Sequence, residues 1–314
     1  MDNKIKILIT STSFQDVQGE HHKKIRSFKF EIDFLRGPLP ESSLIDIIHN
    51  YDGIICGDDE ITSKVIKNGI SGKLKVISKY GVGLDKIDLE YAKKHNLPVT
   101  NCPGVNQDAV SEHVFGLLLS YIRNIPSQWN ETKNYGWNRM IGQELSGKSI
   151  GIIGLGNIGK SVANLAKAFK MEVYTYDIKP DMIFINNNQI NLEKSIEIVF
   201  EKCDIVSLHV DLNEKTRKLI NHSILNQDST SIPILVNTCR SEVIDSEALL
   251  YSLENNKIRA YLTDVLDDEP IKKDNKLISF KNVYVTPHIG SRTYESAEKQ
   301  AMLAINNLIN ALNE

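Results

Sequence analysis

Residues 149–162 read SIGIIGLGNIGKSV, an apolar run that breaks into a glycine-rich turn and then into an amphipathic segment. Gly154, Gly156 and Gly159 stand in the pattern G-x-G-x-x-G, with Asn157 and Ile158 between the last two. The helical pattern KSVANLAKAFK follows, then the strand-like EVYTYD, whose last residue, Asp177, lies 18 positions after Gly159. A glycine-rich turn alone is common. A strand before it, a helix after it and an acid closing the next strand together make the dinucleotide-binding fingerprint. Gly154 permits the tight turn, Gly156 lets the backbone approach a pyrophosphate, and Gly159 allows helix and strand to pack closely. The helix N-terminus offers its free N–H groups to the anion. Asp177 can accept from both ribose hydroxyls and would repel a 2′-phosphate, which favours NAD over NADP, with Lys179 two residues later as the opposing cation.

Outward from this motif the chain alternates short β-rich runs with amphipathic ones, the signature of parallel sheets covered by helices. IKILIT, FEIDFLRG, DGIICG and LKVIS form one series before residue 100; KSIGIIG, EVYTYD, DIVSLHV, PILVN, AYLTDV and NVYVTP form a second after residue 148. With 314 residues, two α/β units are expected. The helical pattern NQDAVSEHVFGLLLSYIRNI links them, and the C-terminal SAEKQAMLAINNLINALNE places Ala297, Ala301, Ala304, Ile305, Leu308 and Leu312 on one face that must dock. The Asn-rich INNNQIN, residues 185–191, reads as a surface loop.

Composition narrows the partners. The chain is 41% hydrophobic and 25% charged with a net charge of −3, which gives no general attraction to nucleic acid or anionic membrane. The longest apolar stretch, VFGLLLSYI, is too short to span a bilayer. Cys56, Cys102, Cys203 and Cys239 are widely spaced and match no zinc or redox pattern, and the N-terminus lacks a signal-peptide block. A cytoplasmic protein with reduced thiols and no metal is expected.

Hydride chemistry on a ketone or alcohol needs a group that exchanges a proton with oxygen, and a carboxylate-bearing substrate needs a cation. Histidine suits the first task and arginine the second. Three strand ends carry such residues: VNTCRS with Arg240, TDVLDDEP with Glu269 and VTPHIGS with His288. Strand carboxyl ends gather at the ligand crevice of an open α/β sheet.

With these motifs in order, together with SKYGVGLDKIDLEYAKKHNLPVTNCPGVNQDAVSEHVFGLLL, the sequence resembles the NAD-dependent D-isomer-specific 2-hydroxyacid dehydrogenases, which include the phosphoglycerate dehydrogenases. The resemblance covers nearly the whole chain. It implies two Rossmann-like or flavodoxin-like parallel-sheet domains with the active-site cleft between them: residues 1–100 plus 289–314 for substrate, and residues 101–288 for NAD. It implies His288 as proton donor to the carbonyl oxygen, Glu269 as its hydrogen-bonding partner supporting the protonated imidazole, and Arg240 as holder of the substrate carboxylate. Lys79 and the backbone around Val82 and Gly83 would contact substrate; Asp264 would lie on the nicotinamide side, with His209, Thr216 and Thr238 also lining the cofactor. The long helix and the segment carrying Trp129 and Trp137 resemble a dimer arm, so a homodimer is expected, unless both Trp fill the local core. The chain ends at Glu314, so an appended regulatory domain is not expected.

Some positions depart from the family pattern. Asp211 stands where Pro is common, Ser241 where Gly usually follows the catalytic Arg, and Lys79 where phosphoglycerate dehydrogenases tend to have Arg. In those enzymes the strand equivalent to GIIC is followed by an Arg that helps hold phosphate; here Gly57, Asp58 and Asp59 follow. Asp58 and Asp59 read either as caps of a helix starting near Ile61 or as ligand contacts. Either way, a small polar or cationic substrate side chain is expected rather than a phosphate. His21 and His22 read as exposed loop residues, Cys239 as a small buried residue, and His113 as a packing residue. The competing functions are D-3-phosphoglycerate dehydrogenase of serine biosynthesis, an NAD-sensing corepressor-like protein, and oxidation of formate or phosphite.

Overall fold

The computed structural model describes residues 4–227 and 232–313. They form two compact units, one running to Asn106 and resuming at Ser291, the other spanning Gln107–Gly290. Both seams fall slightly later than the boundaries read from the sequence.

The first unit is a five-stranded parallel sheet of order β2-β1-β3-β4-β5, built from β1 (Lys6–Ile9), β2 (Glu31–Phe34), β3 (Gly53–Cys56), β4 (Val76–Lys79) and β5 (Val99–Thr100). β3 and β4 are buried along their whole length, which is why GIIC and VISK show no alternation of apolar and polar residues. On one face Leu8, Ile54 and Ile77 pack under Leu44, Val65 and Ile66. On the other, Ile7, Ile9, Ile55 and Val76 pack under Phe14 and the C-terminal helix Tyr294–Asn313. Ala297, Ala301, Ala304, Ile305 and Leu308 of that helix are buried against the sheet. The approach is so close that a Cβ on Gly53 would lie 2.8 Å from Leu308 Cδ1.

His21 and His22 depart from their expected exposed setting. They lie in the helix Glu20–Ser27 and are buried, both rings meeting Phe14 edge-on at 4.8 and 5.5 Å. Hydrophobic packing of the helix against Phe14 and the C-terminal helix takes both imidazoles out of water, a tertiary effect that residue polarity does not announce.

The second unit is a seven-stranded parallel sheet of order β12-β11-β10-β9-β6-β7-β8. Its strands are β6 (Ser149–Ile153), β7 (Glu172–Tyr176), β8 (Asn191–Leu192), β9 (Ile205–Leu208), β10 (Ile234–Asn237), β11 (Ala260–Thr263) and β12 (Val283–Val285). The helix Gln107–Ile122 packs on the glycine-loop helix Asn157–Ala168 through Val114, Leu118, Val162 and Ala166. INNNQIN is not all loop: it holds the end of the helix Met182–Asn187 and the start of β8. Ile185 and Ile190 are buried and anchor it, outweighing the helix-poor asparagines. No helix among the described residues is long and apolar enough to cross a membrane.

Candidate active site

Strand order in the second unit reverses at β6, between β9 and β7, so its ligand crevice opens beyond the carboxyl ends of β6 and β9. Gly154 follows β6 with φ +93°, a conformation that favours glycine, and a Cβ there would lie 2.4 Å from the His209 carbonyl. A Cβ on Gly159 would meet the Gly154 carbonyl at 2.1 Å, so the helix can start this close to the loop only without a side chain. At Gly156 a Cβ would meet nothing within 4 Å. That open side fits a pyrophosphate. Gly156 is also the N-cap of Asn157–Ala168 and supplies no side-chain cap, leaving the first N–H groups, those of Asn157, Ile158 and Gly159, available to an anion.

Asp177 follows β7. Its Oδ2 accepts from the N–H of Leu155 (2.6 Å) and its Oδ1 from that of Lys179 (2.7 Å), so the carboxylate is held beside the glycine loop. His209 shares a 2.8 Å hydrogen bond with the Ser207 hydroxyl, and burial pushes its imidazole down to about 3, keeping it neutral. Thr216 closes its loop by donating from Oγ1 to the Asp211 carbonyl at 2.5 Å. The Thr238 hydroxyl is buried and has no hydrogen-bond partner among the described residues. An orphaned buried hydroxyl beside the crevice is what a missing polar ligand would leave. Together these features fit a bound dinucleotide.

Three loops at neighbouring strand ends carry the proposed reacting groups. After β10, Asn237 organises the turn: its Oδ1 accepts from the Cys239 N–H (3.1 Å), and its Nδ2 donates to the Arg240 carbonyl (2.9 Å). Arg240 Nη1 donates to the Cys239 carbonyl at 2.8 Å. Burial pushes the Cys239 thiol up, so it remains an un-ionised thiol. After β11, Glu269 Oε1 accepts from the Leu266 N–H at 2.9 Å, which aims its Oε2. After β12, His288 Nδ1 lies 2.7 Å from that Oε2. The contact ties the imidazole to the carboxylate through Nδ1.

Asp264 serves the His288 loop. It is buried, and its Oδ1 accepts from the Thr286 hydroxyl (2.6 Å) and the Ile289 N–H (2.9 Å), its Oδ2 from the Gly290 N–H (2.6 Å). Desolvation opposes its charge, but hydrogen bonds from His113, Thr286, Ile289 and Gly290 outweigh it and hold the carboxyl below the usual range. His113 is therefore more than packing: its Nε2 lies 2.9 Å from Thr286 Oγ1 and 3.4 Å from Asp264 Oδ1. Nothing in the helical periodicity of residues 107–122 signals this role, because the partners are over 150 residues away. Asn237 was equally invisible in the strand pattern.

In the first unit, Gly81 has φ +128° after β4 and turns the chain into Val82 and Gly83. The Val82 carbonyl accepts from Asn101 Nδ2 at 2.8 Å. Lys79 is buried, with Nζ 2.6 Å from Asp58 Oδ1. Asp58 and Asp59 do not cap a helix: the next one begins at Ser63, with Thr62 as its N-cap. Asp59 instead accepts from the Thr10 hydroxyl (2.5 Å), the Gly57 N–H (2.8 Å) and the Leu39 N–H (2.7 Å). Burial of that carboxylate required several donors, and three loops supply them.

The family model of the D-isomer specific 2-hydroxyacid dehydrogenase NAD binding domain matches residues 115–290. The chain belongs to the D-isomer specific 2-hydroxyacid dehydrogenase family. This dehydrogenase is 36% identical to a glyoxylate reductase of Thermofilum pendens over 88% of its own chain and 82% of that one. Its fold is similar to that of an NAD+-bound 3-phosphoglycerate dehydrogenase of Entamoeba histolytica, at 27% identity and a TM-score of 0.80, covering 99% and 96% of the two chains. An acyclic imino acid reductase in complex with NADPH and D-Arg is also similar, at 30% identity and a TM-score of 0.85, covering 98% and 97%. The protein is thus an NAD-dependent oxidoreductase acting on CH–OH groups, with two parallel α/β domains.

Proposed function

We propose that this dehydrogenase interconverts small 2-keto acids and D-2-hydroxy acids, with Arg240, Glu269 and His288 as its catalytic residues. The observation that carries the reading is the 2.7 Å contact between His288 Nδ1 and Glu269 Oε2, at the strand ends of the unit that holds the glycine loop. NADH, when bound, supplies the hydride to the carbonyl carbon. His288 Nε2 gives a proton to the carbonyl oxygen, and Glu269 steadies the imidazolium that exists before transfer. The Arg240 guanidinium takes the substrate carboxylate and draws electron density from the carbonyl. In the first unit, Lys79 and the N–H groups of Val82 and Gly83 are its substrate contacts. Gly154, Gly156, Gly159, Asp177 and Thr238 serve the dinucleotide, and Asp264 holds the loop that presents His288.

The test is NADH consumption with glyoxylate, hydroxypyruvate, pyruvate and 3-phosphohydroxypyruvate. Turnover of at least one of the unphosphorylated acids is expected. His288→Ala should lower kcat by roughly 10²–10⁴ while NADH binding, followed by its fluorescence, persists. Unchanged turnover in that variant would remove His288 from the mechanism.

A cytoplasmic homodimer completes the proposal. Trp129, Tyr135, Trp137 and Ile141 are exposed on the helix Ile125–Lys133 and the segment after it, instead of filling a local core. Aromatic residues in this setting are what an isologous interface buries. Light scattering should give twice the chain mass.

A further inference from the structure

Three parts of the second unit meet at Asp264: the helix Gln107–Ile122 through His113, the end of β12 through Thr286, and the backbone that follows His288. The hydrogens in this cluster can be assigned. Asp264 is held below the usual carboxylate range and brings none of its own. The single hydrogen of the Thr286 hydroxyl lies on its 2.6 Å contact with Asp264 Oδ1. The Thr286 oxygen must therefore accept at its 2.9 Å contact with His113, so Nε2 of that ring carries a proton whatever the charge on the imidazole. Donation runs from His113 to Thr286 to Asp264, and Asp264 in turn accepts from the N–H groups of Ile289 and Gly290.

The Thr286 hydroxyl has a second acceptor in reach, the Thr263 carbonyl at 3.4 Å. With His113 donating to its oxygen, the hydroxyl stays turned to Asp264. Without that donor it can swing to Thr263 and leave Asp264 Oδ1 one hydrogen bond short. The Asp264 side chain is 3% exposed, so water does not readily replace the lost bond. The His288 loop also packs against both side chains: a Cβ on Gly290 would lie 3.0 Å from Asp264 Oδ2 and 3.6 Å from His113 Cδ2. His288 itself sits at φ +53°, a conformation that its surroundings must maintain.

We propose that His113 is a positioning residue for proton transfer: its Nε2 proton, passed on as a hydrogen bond through Thr286 to Asp264, fixes the backbone of residues 288–290 and with it the His288 imidazole. The inference rests on the reading of His288 as proton donor and deepens it. Its role lies in orientation and not in binding. Loss of the donor therefore slows the chemical step and leaves cofactor and substrate affinity in place.

The experiment compares His113→Leu, which removes the donor, with His113→Gln, whose amide can present an N–H near the position of Nε2. The 2-keto acid is one that the wild type turns over. His113→Leu should lower kcat by about tenfold or more, with KM and NADH affinity, followed by fluorescence, within about twofold of wild type. His113→Gln should recover most of kcat. Amide hydrogen exchange needs no turnover: Ile289 and Gly290 should exchange about tenfold faster in His113→Leu, while the strands of the second sheet exchange as in the wild type. Thr286→Val against Thr286→Ser repeats the comparison at the middle of the relay if His113→Leu does not fold. Wild-type kcat and wild-type exchange at these two amides in the donor-free variants overturn the proposal, as does equal impairment of His113→Leu and His113→Gln. Faster exchange in a protein whose wild type reduces no 2-keto acid sinks the reading of the reaction and leaves His113 as the residue that fixes this loop.

Discussion

His288 sits at φ +53°, a left-handed conformation that costs a non-glycine residue energy and that is kept here by its surroundings. Its own N–H donates to the Thr286 carbonyl, and the two N–H groups that follow it in sequence are both held by Asp264. The imidazole is thus carried on a backbone that Asp264 over-determines. The glycines are sorted by the same kind of close reading. Gly159→Ala must push on the Gly154 carbonyl, and overpacking of this sort costs about 1–3 kcal/mol, so its melting temperature should drop. Gly156→Ala meets no protein atom. It should melt like the wild type and bind NADH about tenfold or more weakly, because the added methyl occupies the pyrophosphate's approach. Equal melting temperatures for both variants would show that the loop yields at Gly159. The glycine pattern and the proposed trio of Arg240, Glu269 and His288 were legible in sequence because the chemistry proposed for them demands those residue types at strand ends. His113, Asn237 and Thr286 were not, since Asn, Thr and His suit many settings and only the fold brings them to Asp264 and Arg240.

At the scale of elements, strand and helix order followed from alternation and periodicity, and the helix Tyr294–Asn313 announced its buried face through spacing. Its docking site did not follow from spacing. That face lies on β3 and β4, where the Ser78 and Tyr80 hydroxyls donate to the Ala304 and Ala297 carbonyls at 2.9 and 3.0 Å. These two bonds satisfy buried hydroxyls as well as fixing the helix. Leu308 is fully buried against Gly53, so Leu308→Ala should cost about 2–5 kcal/mol, read by urea unfolding. A loss below about 1 kcal/mol would mean that the helix re-seats. The GDDE turn taught a related lesson. Its acids looked like helix caps by local rule, yet the loop at residues 37–39 reaches over β1 and takes Asp59, leaving Asp58 to Lys79.

For the whole molecule, buried imidazoles contribute to the loss of stability toward acid pH. His22 is held below the usual imidazole range by burial, then by the neighbouring His21 and Arg26. Its folded pKa is depressed, so the unfolded chain binds more protons once the pH drops below its ordinary value of 6.5. The stability from keeping it neutral is whole above that value and is lost as the pH falls toward the folded one. Burial of His209 acts with the same sign. Urea midpoints should therefore decline from pH 7.5 to 5.5, and His22→Gln should flatten that decline; an equally steep slope in the variant would place the effect elsewhere. From the sequence by itself came the class of fold, the dinucleotide loop and the proposed proton donor, carboxylate partner and anion-holding cation, because each is encoded by residues close together or by chemistry few side chains can perform. Only the tertiary structure decided that Asp59 fastens loops, that Asp58 neutralises Lys79, that both N-terminal histidines are dry and that Asp264 holds the His288 loop. Those outcomes depend on which distant group fills each hydrogen-bonding position, and three-dimensional packing alone makes that choice.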